Sequence, residues 1–81
     1  MPHKLRDLSG EEIVKLLERN GFIVYKNRGS HCKMRRIILG KNQTLIIPMH
    51  RSVAKGTLSD IYQQISEYLP ESDIKNFFFT K

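Results

Sequence analysis

The sequence has little of what staples or anchors many small proteins. Cys32 is its only cysteine, which excludes a disulfide framework within the chain and favours a reducing compartment. No apolar run approaches the roughly 20 residues that span a bilayer. Charged and apolar residues alternate at the start of the chain, so no secretory hydrophobic segment is expected there. These absences predict a cytoplasmic protein without membrane contact.

Acidic residues are also scarce. The 81 residues include 8 Asp and Glu against 14 Lys and Arg, a formal net charge of +6. A small basic chain attracts polyanions or an acidic partner, although many small proteins are basic without binding either. The length suits one domain, residues 1–81, and the chain contains no repeat, linker or low-complexity segment.

Local patterns predict a helix, three strands and a second long helix. Ser9 and Glu12 match a capping box, the apolar stripe Ile13, Leu16 and Leu17 follows, and Asn20-Gly21 supplies a stop. The strands are expected at residues 22–26, 30–39 and 44–47, with turns at 27–29 and 40–43. The second helix is expected to begin with Thr57 as its cap, to carry an apolar face as far as Leu69, and to end at Pro70.

The order of elements predicts an α+β fold, αβββα, with a three-stranded antiparallel sheet and the helices packed on one face. That is the architecture of double-stranded-RNA-binding domains. A short additional helix at residues 72–79 is possible, and Phe77, Phe78 and Phe79 would either close the core or meet a partner.

The second strand carries the candidate site. By the two-residue period of a strand, His31, Lys33 and Arg35 share one face, and Cys32 and Met34 share the other. The basic face is expected to be exposed to solvent, with the loop around His50 near one end. Cys32 is interpreted as a small buried hydrophobic residue rather than a nucleophile.

The histidines do not have the spacing of a metal site. His31 and Cys32 are adjacent and point to opposite faces of a strand, and no CxxC or HxxxH pair is present. Neither a metal nor a cofactor is therefore expected. His50 is either an RNA contact or a solvated loop residue, and His3, near the terminus, is assigned no role.

Four features in this order resemble HicA toxins. They are a short helix ending in Asn20-Gly21-Phe22, the triplet Gly29-Ser30-His31, an apolar strand that closes with Pro48 before His50, and Gly56-Thr57-Leu58 opening a helix that continues to Ile61. The resemblance implies a double-stranded-RNA-binding-like fold, cleavage of mRNA without a metal, and silencing by a HicB-type antitoxin that masks the active site. It places the catalytic histidine at His31, although Cys32 stands where similar toxins often carry a second histidine.

The implied chemistry suits these residues. RNA carries its own nucleophile, the 2′-hydroxyl, so moving protons and stabilising charge can be enough to cut it. Imidazole exchanges protons near neutral pH and can act as the acid or as the base. The expected RNA contacts are Lys33, Arg35, Arg28, Lys26 and His50.

Two other functions remain open from the sequence. One is a noncatalytic RNA-binding module on the same fold, and the other is a protein-interaction module whose basic face serves an acidic partner. The free protein is expected to be a monomer. An antitoxin, if present, is expected to set acidic groups opposite Lys33 and Arg35.

Overall fold

A computed structural model describes residues 4–80, so His3 lies outside the described residues. The elements are helix α1 (Gly10–Arg19), strands β1 (Ile23–Arg28), β2 (His31–Ile38) and β3 (Lys41–Pro48), and helices α2 (Lys55–Ser66) and α3 (Glu71–Phe78). The predicted αβββα α+β fold is confirmed, with α3 added after it. No helix within residues 4–80 is long and apolar enough to cross a membrane.

Helix α1 begins as the sequence predicts. The Glu12 backbone N–H donates to Ser9 Oγ at 3.1 Å, and the Ser9 backbone N–H donates to Glu12 Oε1 at 2.9 Å. The bond from Ser9 lowers the pKa of the Glu12 carboxyl, because it favours the ionised form. Leu8 and Ile13 on either side of this cap are both buried, so the start of the helix is held by hydrogen bonds and by apolar packing.

The three strands form an antiparallel sheet in the order β1-β2-β3. Residues 27 and 28, predicted as a turn, belong to β1, and the turn is the pair Gly29-Ser30, with φ +57° at Gly29. Glycine at the first central position is the signature of a two-residue hairpin turn whose twist matches the strands. That turn makes His31, not Ser30, the first residue of β2.

The second hairpin is also tighter than the sequence predicts. Its turn is Leu39-Gly40, where both residues have positive φ (51° and 77°), and β3 starts at Lys41 rather than Thr44. Two positive φ values define a type I′ turn, which favours Asn or Gly at both positions. Leu39 was predicted to end the strand. It instead sits in the left-handed region with 97% of its surface exposed.

One face of the sheet, here called the inner face, packs on helices α1 and α2. Cys32, Met34, Leu45 and Ile47 are buried there. The helices complete one cluster with apolar side chains that include Ile13, Leu17, Leu58, Ile61 and Ile65. All the buried residues among 4–80 are apolar or Gly or Pro, so this side of the sheet is occupied by the core.

Arg36 is a charged residue on the inner side of β2, at the edge of the core. Its Nε donates to Gln43 Oε1 at 2.8 Å, Nη1 to the Asn20 carbonyl at 2.9 Å and Nη2 to the Tyr68 carbonyl at 3.1 Å. The guanidinium also lies 4.8 Å from the centre of the Phe22 ring. One side chain therefore joins the sheet to the ends of α1 and α2.

Helix α2 starts three residues earlier than its predicted start. Its N-cap is Ala54, without a side-chain hydrogen bond, so Thr57 lies inside the helix and the prediction that it caps α2 is wrong. The Val53 backbone N–H donates to the Leu8 carbonyl at 2.9 Å, which fixes the chain just before the helix. Tertiary contact replaces the side-chain cap in setting where this helix begins.

The C-terminal segment closes the core, which decides between the two interpretations of the Phe triplet. Phe78 is fully buried, and Phe77 and Phe79 pack against the core cluster. An antiparallel bridge joins Leu5 to Phe79, and Arg6 Nη1 donates to the Phe77 carbonyl at 2.8 Å. These contacts join the two ends of the described chain.

Candidate nucleic-acid interface

The face of the sheet turned away from the helices, here called the outer face, is open. Cross-strand pairs define its rows: Arg28, His31 and Pro48 form the first, and Lys26, Lys33 and Ile46 the second. The third row holds Ile23, Arg35 and Thr44, and the fourth is the pair Ile37 and Asn42. Basic residues are thus concentrated in the rows near the Gly29-Ser30 turn, and the row at the opposite end has none.

His31 lies at the basic end of the outer face, directly after the Gly29-Ser30 turn. Its side chain is exposed. Within the described chain its imidazole has no hydrogen-bond partner, so neither ring nitrogen is used in holding the turn together. A histidine that held the turn in place would make such a bond. The position leaves both nitrogens open to a substrate.

A β-bulge brings two more cations beside His31. Pairing passes from Val24 opposite Met34 to Lys26 opposite Lys33, which leaves Tyr25 as an extra residue in β1. Simple alternation from Ile23 would turn residues 26 and 28 inward, and the bulge turns them outward instead. Lys26 and Arg28 therefore both lie on the outer face, and Arg28 belongs to strand β1 rather than to the turn predicted at residues 27–29.

The outer face carries positive charge without negative charge in its own strands. Residues 19–59, which include all three strands, contain no Asp or Glu. Lys26 pairs directly with Lys33, and like charges in opposite positions destabilise a sheet. The one ion pair among residues 4–80 is Lys55 with Asp7, away from the strands, at 2.8 Å. A bound anion would offset the repulsion that the protein itself leaves uncompensated.

Lys33 and Arg35 are half-buried, so the expectation of a fully exposed basic face is only partly met. Lys33 lies between Lys26 and Ile46 in its row. The Arg35 guanidinium lies 4.8 Å from the centre of the Tyr25 ring. Long basic side chains commonly cover apolar neighbours with their stems while the charged end stays accessible.

The loop that follows β3 is held beside the start of β2. The Met49 backbone N–H donates to the Ser30 carbonyl at 2.6 Å, and the His50 carbonyl accepts from the Gly10 N–H at 2.9 Å. A methyl group on Gly10 would meet the Pro48 carbonyl oxygen at 2.1 Å, so helix α1 is pressed onto this loop. The exposed His50 side chain therefore comes from a fixed loop at the His31 end of the sheet.

Cys32 takes no part in the outer face. It is 2% exposed and packs in the core, as the sequence predicts. Burial raises the pKa of the Cys32 thiol, and the Glu18 carboxylate raises it further. The thiol is therefore kept in its protonated, unreactive form, and it points away from the neighbouring His31.

Tyr25 is the residue of this face that the sequence prediction missed. Periodicity placed it in the first strand without showing that a bulge would set it against Arg35. The signal available was its aromatic ring between Val24 and Lys26, in a stretch with no acidic residue. An aromatic residue in a basic stretch is a common feature of single-stranded RNA-binding surfaces.

Fold and face together define a small α+β protein with an open, basic, histidine-bearing sheet. A family model described as the HicA toxin of bacterial toxin-antitoxin systems matches residues 10–66. The chain belongs to the HicA toxin family. No curated protein matches it, and no solved structure does.

The matched region runs from the start of α1 to the end of α2 and includes every row of the outer face. Helix α3 and the segment before Gly10 lie outside the match. Membership of a toxin-antitoxin family implies an antitoxin as the partner of this protein.

Proposed function

We propose that this HicA-family protein is an endoribonuclease that cuts mRNA without a metal, with His31 as the proton-transferring residue. The observation that carries the proposal is an exposed imidazole without a partner in the described chain, in a row with Arg28 and next to Lys26 and Lys33. No carboxylate within the three strands competes for these cations. Phosphate is the ligand that such an arrangement favours.

The reaction follows from the chemistry of RNA. The 2′-hydroxyl oxygen attacks the adjacent phosphorus, its proton leaves, and the bond to the 5′-oxygen of the next nucleotide breaks as that oxygen takes up a proton. The products are a 2′,3′-cyclic phosphate and a 5′-hydroxyl end. His31 supplies one of the two proton transfers, as acid or as base, and solvent water at this open site is available for the other.

The cations around His31 would act on the phosphate. Negative charge builds on the phosphoryl oxygens as the 2′-oxygen bonds to phosphorus, and fixed positive groups stabilise it. Lys26, Arg28 and Lys33 stand in the two rows at this end of the face, and Arg35 is one row further along β2. His50, on its fixed loop, is the remaining candidate for an RNA contact.

Cleavage of a long single-stranded RNA by purified protein in the presence of a chelator tests the proposal. His31→Ala is expected to lower the cleavage rate by at least about 100-fold, the usual contribution of a general acid or base. Asn42→Ala, which changes an exposed residue at the far end of the same face, is the matched control and is expected to cleave normally. End-group analysis should find the cyclic phosphate.

Undiminished cleavage by His31→Ala would refute the role given to His31. If the unmodified protein binds RNA in a salt-dependent way but never cuts it, the protein is a noncatalytic RNA-binding module instead. If it neither binds nor cuts RNA at low salt, the basic face serves a protein partner alone.

We further propose that the antitoxin is of the HicB type and covers this same face with acidic groups. A binder selective for the folded toxin also stabilises it by mass action, which suits storage as a complex. The outer face lacks acidic residues of its own, so complementary charge has to come from the partner. Lys33 and Arg35, central on β2, are its expected contacts.

Charge reversal tests this part of the proposal. The double variant Lys33→Glu and Arg35→Glu is expected to weaken antitoxin binding by about 30-fold or more. Each reversal turns an attraction into a repulsion and should cost roughly 1–3 kcal/mol of binding free energy. The double variant Lys15→Glu and Lys75→Glu, at exposed positions on α1 and α3, is the charge-matched control. Unchanged affinity of the Lys33 and Arg35 double variant, measured by isothermal titration calorimetry, would remove the outer face as the antitoxin site.

A further inference from the structure

Tyr25 lies on the outer face at the β-bulge, where it serves neither the core nor the pairing of β1 with β2. It has no paired residue on β2, and it is absent from the cluster against which Tyr62 and Tyr68 pack. Its side chain remains 41% exposed. A bulge re-aims the side chain that it carries, and bulges are frequent beside functional sites.

The Arg35 guanidinium holds the ring in place. It lies 4.8 Å from the ring centre, within the range of a cation-π contact. Such a contact orders both side chains before any ligand arrives, which lowers the entropy cost of binding. In the described chain, no hydrogen bond joins the Tyr25 hydroxyl to another group.

An unpaired nucleobase can stack on an ordered, exposed aromatic ring that lies beside a guanidinium group. Single-stranded RNA is held by proteins through aromatic and arginine planes on its bases, together with cations along its backbone. Here the cations Lys26 and Lys33 lie in the row adjacent to Arg35, on the side of His31. The outer face thus offers a ring for a base and cations for the RNA backbone in adjacent rows.

We propose that Tyr25 and Arg35 form a base-binding subsite for single-stranded RNA, separate from the cleavage point. The subsite rests on the proposed ribonuclease function, which it extends to substrate preference. His31 and Arg35 are four residues apart in β2, about 13 Å along an extended strand. The stacked base therefore belongs to a nucleotide near the scissile phosphate, and Tyr25 does not touch the reacting atoms.

Binding of a labelled single-stranded oligonucleotide, followed by fluorescence anisotropy in the His31→Ala background, tests the subsite. Tyr25→Ala is expected to weaken binding by roughly 10-fold, the loss typical of one stacked base, and Tyr25→Phe, which keeps the ring, is expected to bind normally. Ile23→Ala is the control, because Ile23 lies opposite Arg35 on the same face and is exposed. Thermal unfolding of each variant confirms that it is folded.

Salt dependence separates stacking from charge. Tyr25→Ala is expected to leave the slope of log affinity against log salt unchanged, whereas Lys33→Ala should reduce it by about one phosphate contact. Ultraviolet crosslinking of bound RNA should map to the peptide that contains Tyr25.

The proposed subsite would be overturned if Tyr25→Ala bound RNA as tightly as the unmodified protein. It would also be overturned if Tyr25→Phe lost as much affinity as Tyr25→Ala. A chain that binds no single-stranded RNA would overturn it as well. Cleavage that survives His31→Ala would instead refute the proposed catalytic residue and leave the Tyr25 result standing, so the two failures are distinguishable.

Discussion

Arg35 and Arg36 are neighbours in strand β2 but lie on opposite faces of the sheet, where they have different surroundings. Arg36 donates three hydrogen bonds to groups on β3 and near the ends of α1 and α2, and it stacks on Phe22. Within residues 4–80, the Arg35 side chain donates no hydrogen bond and contacts the ring of Tyr25. The hydrogen-bonding capacity of Arg36 is engaged within the protein, whereas that of Arg35 is available to a ligand.

The same division holds over the first four residues of β2. The inner residues Cys32 and Met34 are buried in the core, and the outer residues His31 and Lys33 lie on a face without acidic groups. A strand alternates its side chains between two environments, so one strand can serve stability and binding in turn. Substitutions on the inner face should therefore change unfolding, and substitutions on the outer face should change RNA or partner binding.

The largest expected contrast is between the two arginines. Arg36→Ala should destabilise the protein by about 2–3 kcal/mol, because it removes several charged hydrogen bonds and leaves carbonyl groups without partners. Arg35→Ala should change stability by about 0.5 kcal/mol or less, as surface substitutions usually do. Urea unfolding measures both, and RNA binding should reverse the order of the two effects.

Arg36→Lys sharpens the same comparison. Lysine keeps the charge but cannot reproduce the planar fork that reaches Gln43, Asn20 and Tyr68 together, so most of the loss should remain. Equal stability of the Arg35→Ala and Arg36→Ala proteins would contradict the division between the faces.

A smaller effect is expected where helix α1 packs against the end of strand β3. Gly10→Ala should destabilise by about 1–3 kcal/mol despite the higher helix propensity of alanine, because its methyl group would overlap the Pro48 carbonyl. Pro48 pairs with His31, so RNA cleavage should also fall in this variant.

Gly56→Ala is the matched control within helix α2. A methyl group there meets nothing within 4 Å, and the change should stabilise by about 0.4–1 kcal/mol through the unfolded chain. Thermal unfolding midpoints of the two variants should therefore move in opposite directions. If both variants unfolded at a lower temperature, the space for a methyl group at each glycine would not explain the change in stability.

Much of the fold was predictable because local chemistry and tertiary packing agree. The Ser9 and Glu12 cap, the apolar stripe of α1 and the alternation at residues 31–35 each indicated the structure that is found. The wrong predictions have two causes. A contact distant in sequence, between Val53 and Leu8, fixes the start of α2. At Leu39, the pairing of β2 with β3 leaves a two-residue turn that requires a left-handed conformation.

Patterns within single segments were enough to predict the αβββα order, the burial of Cys32 and Met34, and the common face of His31, Lys33 and Arg35. The folded chain was needed to show that Lys26 and Arg28 join that face and that Tyr25 contacts Arg35. Those placements depend on a bulge in the pairing of β1 with β2. The register between two strands is set by packing across the sheet, which a single strand's pattern does not contain.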